Sequence, residues 1–301
     1  MVSCESCDSQ NISRISVRLG LAYWCCKCCG HCTIDHPSGI ESGFVNAQYQ
    51  YFGSESLLMQ KTLGIFDREI LLERKLQACH YIPLSSHVLE VGPGAGHFAS
   101  LLKEMGHHVA LVEHSPELAT ALAQHLGVPI YVGEFEQVTI TKAAADAFCS
   151  FHVIEHVKDP QAHLHAALTA VRPGGIGLIA TPNAGSWQQR VFTKLSPNFD
   201  SAHLRVFSKA SLKRYAEKAG WVVETVHTPE YASNWLRVVS KAVRKLKGED
   251  EEATAGKYSV VSPSLSAVYM LATALSWPLR KLQSLLGGGN EIFLVLRRPE
   301  E

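Results

Sequence analysis

Residues 88–98 read Val-Leu-Glu-Val-Gly-Pro-Gly-Ala-Gly-His-Phe, and this stretch decides the fold. An apolar strand runs into a Gly-x-Gly-x-Gly turn at positions 92, 94 and 96, and a helical pattern follows. Glycine permits positive φ and lets the backbone approach a ligand closely, while a helix N-terminus presents free N–H groups. The turn therefore predicts a nucleotide site at the end of a strand.

The same pattern of a short apolar strand and a helix repeats outward from this turn. It begins again at residues 108–114 and 146–154, and residues 174–183, 221–228 and 290–299 supply further strands. Strands that alternate with helices at this spacing indicate βαβ units and a parallel sheet.

Two carboxylates accompany the turn. Glu90 precedes the first glycine, and Glu113 ends the second strand 113 − 92 = 21 residues after that glycine, where it can accept hydrogen bonds from both ribose hydroxyls. A dinucleotide dehydrogenase uses the same architecture, but its Gly-x-Gly-x-x-Gly motif leaves the helix N-terminus open to a pyrophosphate. The spacing here, with an acid before the turn, favours a nucleotide with a cationic end.

This segment resembles the first motif of the class I S-adenosylmethionine-dependent methyltransferases, Glu/Asp-x-Gly-x-Gly-x-Gly. The resemblance covers about residues 87–298. It implies an α/β fold with a Rossmann-like, seven-stranded, mostly parallel sheet, helices on both faces, and S-adenosylmethionine as the cofactor. The family usually has Asp where Glu134 stands. The residues implied for cofactor binding are Glu90, Gly92, Gly94, Gly96, Glu113, Glu134, Phe135 and His152.

The fourth strand ends in a run of polar side chains that includes His152, Glu155 and His156. Because the carboxyl ends of parallel strands face the ligand crevice, we expect these three catalytic candidates to lie near the transferred methyl group. Residues 153–160, Val-Ile-Glu-His-Val-Lys-Asp-Pro, resemble the Glu-His-Val-x-Asp-Pro motif of methyltransferases related to the ubiquinone-biosynthesis O-methyltransferases.

Two roles stay open for these side chains. Some relatives, including small-RNA 2'-O-methyltransferases, hold a divalent metal with Glu-x-x-Glu-His and a later His. By that resemblance, His152, Glu155, His156 and His203 form a second divalent site. In the alternative, His152 acts without metal as the base that takes the proton from a substrate hydroxyl, and Glu155 and His156 only support the loop.

Seven of the nine cysteines lie between positions 4 and 32 and include two Cys-x-x-Cys pairs with zinc-ribbon spacing. The later pair has an overlapping alternative that begins at Cys25, but Gly30 suits the tight turn after a knuckle that ends one residue before it. The other three cysteines of this cluster are predicted to be free thiols. The predicted ligands of a structural zinc ion are Cys4, Cys7, Cys26 and Cys29.

Composition limits the partners. The 28 basic and 28 acidic residues balance, and the ribbon contains only Arg14, Arg18 and Lys27 as cations, so nucleic acid is not an expected partner. The first residues lack the features of a signal peptide, which predicts a cytoplasmic protein. The predicted organisation is a zinc-ribbon-like module at 1–40, a helical lead-in at 41–85, a methyltransferase domain at 86–230 and 288–301, and a helical insertion at 231–287.

The insertion has two possible roles. It can close over the site as a two-helix cap, which we favour, or it can contact a membrane surface peripherally, with Lys241, Arg244, Lys245 and Lys247 towards anionic lipid. The predicted function is methylation of a hydroxyl on a small molecule or a sugar or polysaccharide precursor. A sugar C-methyltransferase and a non-catalytic zinc-ribbon protein that binds S-adenosylmethionine are the alternatives.

Overall fold

The computed structural model describes residues 3–17, 22–35, 65–193, 196, 198–199, 202–236, 238 and 263–300. Within these ranges the strands are β1 Ile12–Ser16, β2 Ala22–Cys26, β3 Cys32–Ile34, β4 His87–Val91, β5 His108–Glu113, β6 Ile130–Val132, β7 Ala145–Phe151, β8 Val171–Pro182, β9 Arg205–Val206, β10 Val222–His227 and β11 Glu291–Arg297. The helices are α1 Ile65–Tyr81, α2 His97–Glu104, α3 Pro116–Leu126, α4 Pro160–Ala170, α5 Trp187–Val191, α6 Lys209–Lys218 and α7 Pro263–Leu285.

Seven strands form the main sheet in the order β10-β11-β8-β7-β4-β5-β6. The pairs β4–β5, β4–β7, β5–β6 and β7–β8 are parallel, and β11 is antiparallel to both of its neighbours. The predicted seven-stranded, mostly parallel sheet is therefore confirmed. Strands inside the sheet are buried on both faces and therefore contain continuous apolar runs. Residues 292–296 of β11 are an example.

Helices cover both faces of this sheet. One face packs against α4 and α6 through Leu164 and Leu212, and the other against α2 and α3 through Phe98 and Leu118. Burial of side chains of this size contributes about 1.5–3 kcal/mol each. Helices thus cover both faces of the sheet, and a ligand site is expected at the loops that follow the carboxyl ends of its strands.

Proline and a polar cap fix where two of these helices begin. Ser115 Oγ accepts a hydrogen bond from the Leu118 N–H at 3.2 Å at the start of α3, and Pro116 occupies the first turn. Asp159 accepts from the Gln161 N–H at 2.9 Å at the start of α4. Such caps contribute about 1 kcal/mol each and set the lengths of the loops that precede them.

A second, four-stranded sheet contains the cysteine-rich strands in the order β1-β2-β3-β9. Its last strand, β9, comes from the segment between α5 and α6. The ribbon therefore shares its sheet with a strand from that later segment, in which Cys32 pairs with Val206 and Thr33 with Arg205. Tyr23, Ile34 and Phe199 belong to one apolar cluster that spans this junction.

The described part of the predicted insertion is dominated by α7. Its inward side is polar: Arg280 Nη1 donates to the Glu230 carbonyl at 3.0 Å, and Gln283 Nε2 donates to Glu230 Oε2 at 2.9 Å. The outward side exposes large apolar side chains, which are Met270, Leu271, Leu275, Trp277, Leu279, Leu282, Leu285 and Leu286. Across the described ranges, the helices are too short or too polar to cross a membrane.

Some predictions lie outside the described residues. The predicted helix of the lead-in is α1, which is described from Ile65 onward. Arg18 and the four cations at 241–247 proposed for lipid contact also lie outside the described ranges.

Candidate active site

The glycine turn joins β4 to α2 and has three left-handed glycines, each with its own environment. The φ angles are 68° at Gly92, 53° at Gly94 and 75° at Gly96. A Cβ at Gly92 would lie 2.5 Å from Val153 Cγ2, and one at Gly96 would lie 2.8 Å from Leu122 Cδ2. A Cβ at Gly94 would meet none of the described atoms within 4 Å. The outer glycines are thus required by packing, whereas Gly94 borders open space at a helix N-terminus.

The two predicted carboxylates lie at the ends of neighbouring parallel strands, and both are buried. Glu90 is opposite Leu111 in the β4–β5 register. Burial raises the pKa of Glu90 to about 8, and its Oε2 accepts no hydrogen bond from the described residues. Burial also raises the pKa of Glu113, whose Oε1 accepts from the Ser115 N–H at 2.8 Å. A ligand at the turn therefore meets one unpartnered acid and one that is held in place.

The loop after β6 lies beside Glu113, because the Gly133 N–H donates to the Glu113 carbonyl at 3.0 Å. Glu134 is exposed, with Oε1 3.3 Å from His114 Nδ1. The ring of Phe135 lies in the core, 5.6 Å from the Phe148 ring centroid. Of the two loop residues predicted to bind the cofactor, the structure leaves the side chain of Glu134 accessible and that of Phe135 buried.

The turn after β7 places a histidine and a glutamate side by side. His152 has a φ of 57°, and its N–H donates to the Ala180 carbonyl at 2.8 Å. Glu155 is fully buried, and its Oε2 accepts from Thr181 Oγ1 at 2.8 Å. Glu155 Oε1 lies 3.2 Å from His152 Nδ1, yet it accepts no well-directed hydrogen bond from the described part of the chain.

Two imidazoles complete this cluster. His156 Nδ1 donates to the Ala202 carbonyl and His203 Nδ1 donates to the Asn198 carbonyl, both at 2.8 Å. Each bond leaves Nε2 as the acceptor nitrogen, and the ligand atoms of Glu155, His156 and His203 all lie within 4.8 Å of one another. One carboxylate oxygen without a well-directed hydrogen bond and two oriented imidazoles fit a divalent cation.

His152 does not join that group, so the structure brings together three of the four predicted ligands. The reason is a competing partner: His152 Nε2 is 2.8 Å from Glu291 Oε2 at the start of β11. Glu291 also accepts from Arg74 Nη2 at 2.5 Å, and Tyr231 donates its hydroxyl to Glu291 at 3.2 Å. Sequence analysis missed Arg74, Tyr231 and Glu291.

Opposite charges dominate this second cluster. Partial desolvation opposes the charge on His152, whose side chain is 47 % exposed, but the carboxylates of Glu155 and Glu291 outweigh it and raise the pKa of His152 to about 9. Burial would raise the pKa of Glu291, whereas Arg74 and His152 lower it to about 2. Arg74 also lies over the ring of Phe151, 4.5 Å from its centroid. Both ring nitrogens of His152 thus face carboxylate oxygens, at 3.2 Å and 2.8 Å, and this arrangement favours the protonated ring.

The sequence contains one feature from which the role of Glu291 could have been predicted. It is the single charged residue at the start of the otherwise apolar run of β11, and it is only 3 % exposed. A buried charge at a strand end requires a partner, so the position indicates a site. Arg74 carries no comparable signal, because α1 has several charged residues.

The cysteine cluster has the arrangement of a four-cysteine zinc ribbon. The Sγ–Sγ distances are 3.5 Å for Cys4–Cys29 and 3.6 Å for Cys7–Cys26, and all four sulfur atoms lie within 4.8 Å of one another. Four free thiols at this spacing fit a tetrahedral zinc ion. The structure thus groups the four predicted ligands.

The prediction for the remaining cysteines of the cluster was wrong at two positions. Cys25 and Cys32 form a disulfide, while Cys28 is a free, exposed thiol. Cys25 and Cys32 are directly opposite each other on β2 and β3, with their Cα atoms 4.1 Å apart. Strand pairing explains this bond, and it removes Cys25 as an alternative zinc ligand.

Comparison with known proteins agrees with this geometry. The family described as "Methyltransferase domain" matches residues 65–226, which are 162 of the 301 residues. A protein of Mycolicibacterium smegmatis named "Probable S-adenosylmethionine-dependent methyltransferase" is 29% identical over 157 residues, 52% of this chain and 58% of that protein. A ubiquinone biosynthesis O-methyltransferase of Xylella fastidiosa is 31% identical over 109 residues, 34% of this chain and 44% of that enzyme.

These matches span about half the length of the curated relatives. Among solved structures, the 1,6-didemethyltoxoflavin-N1-methyltransferase of Burkholderia thailandensis has a TM-score of 0.51 at 13% identity, covering 95% of this chain and 99% of that one. This similarity supports the fold. With the family match over more than half of its length, the chain belongs to the class I S-adenosylmethionine-dependent methyltransferases.

Proposed function

We propose that this protein transfers the methyl group of S-adenosylmethionine to a hydroxyl of a small-molecule or sugar-type acceptor. The observation that carries the proposal is the adjacency of two groups of residues at one edge of the sheet. Strand β4, which carries Glu90 and the glycine turn, pairs directly with β7, which leads into His152, and Val91 lies opposite Ser150. A ligand on the turn therefore lies beside the cluster after β7.

The first group, which we term the cofactor half, comprises Glu90, the turn at 92–96 and Glu113. Its buried carboxylates suit a ligand with a cationic end and ribose hydroxyls, and they disfavour a pyrophosphate. Glu134 is the exposed loop candidate. S-adenosylmethionine supplies an electrophilic methyl group on a sulfonium, and the cofactor half would bind and orient it.

The second group, the acceptor half, comprises Arg74, His152, Glu155, His156, His203 and Glu291. We favour the role in which Glu155, His156 and His203 hold a divalent cation, because their ligand atoms lie within 4.8 Å of one another. A divalent cation held by these three residues would supply Lewis-acid activation of an acceptor hydroxyl. Burial lowers the pKa of His156, which keeps its imidazole neutral and available as a ligand.

The metal-free alternative assigns proton removal to His152. It is less well supported, because both ring nitrogens of His152 face carboxylates and its pKa is raised to about 9. An imidazolium cannot accept the acceptor's proton at neutral pH. In our assignment His152 instead holds the wall of the acceptor half together through Glu291.

The preference for oxygen rests on the similarity to an enzyme named as an O-methyltransferase. A sugar C-methyltransferase is the alternative that product analysis separates from it. We propose a small-molecule acceptor and a structural zinc ion in the ribbon. Peripheral membrane contact through the insertion remains the alternative role of the exposed apolar side of α7.

The first test is calorimetric binding of S-adenosylmethionine and S-adenosylhomocysteine, with NAD as the control and zinc measured by elemental analysis. We expect micromolar binding of both sulfur nucleotides, no binding of NAD and one zinc per chain. Transfer of a ¹³C-labelled methyl group to hydroxyl-bearing acceptors then gives a product whose NMR shift separates O-methyl from C-methyl. Absence of binding, or a preference for NAD, would refute the proposal.

A further inference from the structure

The loop that carries His203 lies between the acceptor half and the cysteine ribbon. On one side, the Arg205 N–H donates to the Glu155 carbonyl at 3.2 Å. On the other side, the Ile34 N–H of the ribbon donates to the Leu204 carbonyl at 2.9 Å. The backbone on the C-terminal side of His203 is thus held by the ribbon and by the cluster at once.

Within the ribbon, Tyr23 contacts His203 itself. It is fully buried, and its hydroxyl donates to the His203 carbonyl at 2.9 Å. The Tyr23 ring lies 4.6 Å from the ring of Phe199. Phe199 directly follows Asn198, and the Asn198 carbonyl accepts a hydrogen bond from His203 Nδ1. Tyr23 therefore restrains the backbone of His203 and also packs beside the residue that sets the orientation of its ring.

We propose that the cysteine ribbon is a structural wall of the methyl-transfer site, in which Tyr23 is a positioning residue that fixes His203. The inference rests on the proposed function, since it gives His203 a role in the acceptor half. Removing the hydroxyl of Tyr23 leaves the cofactor half untouched, because Glu90, the turn and Glu113 lie on β4 and β5. The expected defect is thus confined to His203 and its neighbours.

The variant Tyr23→Phe tests this with two readouts besides turnover. In long-range ¹⁵N–¹H spectra of the imidazoles, we expect the His203 signal to shift or broaden while that of His163, whose partner is Glu136, stays in place. We also expect the affinity for Mn²⁺, which prefers carboxylate and imidazole over thiolate ligands, to fall about ten-fold. S-adenosylhomocysteine affinity and zinc content should remain at wild-type values.

Arg214→Ala is the matched control. Arg214 Nη1 donates to the carbonyl and hydroxyl of Ser6, at 3.1 Å and 3.2 Å, so the variant removes a contact between ribbon and domain away from His203. It should leave the His203 signal and the Mn²⁺ affinity unchanged. Should Tyr23→Phe lose its zinc or unfold, removal of zinc from the wild-type protein with a thiolate-competing chelator provides the second test, and it should perturb the His203 signal.

An unchanged His203 signal after both treatments would overturn the proposal, whatever the enzymatic activity. Equal effects of Arg214→Ala and Tyr23→Phe would also overturn it, because any loosened ribbon would then suffice. Failure of the wild-type protein to bind S-adenosylhomocysteine would refute the proposed function instead, and the imidazole spectra would still decide whether Tyr23 fixes His203.

Discussion

The cofactor half and the acceptor half differ most in how the chain assembles them. The cofactor half spans 113 − 90 = 23 positions, on two adjacent strands and one turn. The acceptor half joins Arg74 to Glu291 across 217 positions, and the ribbon reaches His203 from Tyr23 across 180. Local backbone geometry thus creates one half, whereas tertiary packing creates the other. The two halves should therefore fail separately when single residues are changed.

The largest expected effect is on turnover alone. Glu155→Gln keeps the shape of a fully buried side chain but removes the charge that faces three imidazoles, those of His152, His156 and His203. We expect methyl transfer to fall about 10³-fold, within the range for lost metal or acid–base catalysis, with S-adenosylhomocysteine affinity unchanged. Asp146→Asn, at the opposite end of β7, is the control and should retain activity. A Glu155→Gln enzyme with normal turnover would refute the role of the cluster.

Next in size is the stability of the acceptor half. Arg74→Met leaves the Glu291 carboxylate buried without its guanidinium partner, so we expect the free energy of unfolding to fall by at least about 3 kcal/mol. Arg297→Met removes the exposed ion pair with Glu224 and should cost at most about 1 kcal/mol. Urea denaturation of both variants measures the difference. Equal losses would mean that the Arg74–Glu291 pair behaves as a surface ion pair.

A smaller effect is expected in the cofactor half. Gly94→Ala adds a methyl group that meets none of the described atoms within 4 Å, so it should fold and yet obstruct the ligand. We expect at least a ten-fold loss of S-adenosylmethionine affinity, about 1.4 kcal/mol, by calorimetry. Gly127→Ala is matched in φ, 61° against 53°, and in local space.

Both glycine variants should lose about 1–2 kcal/mol of stability from the left-handed conformation. Only Gly94→Ala should lose cofactor affinity. If Gly127→Ala weakens binding equally, the effect is backbone strain rather than contact with the ligand.

The last prediction concerns pH. The pKa of Glu90 is about 8 in the folded protein and near 4.5 when exposed, so between these values the folded state binds more protons than the unfolded state. Stability should therefore fall as pH rises from about 5 to about 8, and Glu90→Gln should flatten this dependence. Urea denaturation of the ligand-free protein across this range measures it. An identical pH dependence in both proteins would mean that Glu90 ionises freely in the fold.

The contrast between local backbone geometry and tertiary packing also explains which parts of the site can be predicted from the sequence. The glycine turn, Glu90 and Glu113 lie at the strand ends where the sequence predicts them, because glycine spacing and strand ends are local signals. His156 and His203 were joined only through a family resemblance, and the structure does bring them together with Glu155. Arg74, Tyr231 and Glu291 could not be predicted, since their roles follow from which distant elements pack together. The disulfide between Cys25 and Cys32 likewise depends on strand register.

Pairing of β3 with β9 also affects the order in which the protein is made. Thr33 and Arg205 are 205 − 33 = 172 positions apart. At 5–20 residues per second, the ribosome therefore synthesises β9 roughly 9–34 s after the ribbon. During that interval the edge of β3 is open and the thiols of the ribbon are exposed. Zinc bound early at the proposed ribbon site would hold the nascent ribbon in a form that can receive β9, and metal supply during translation would then affect the yield of folded protein.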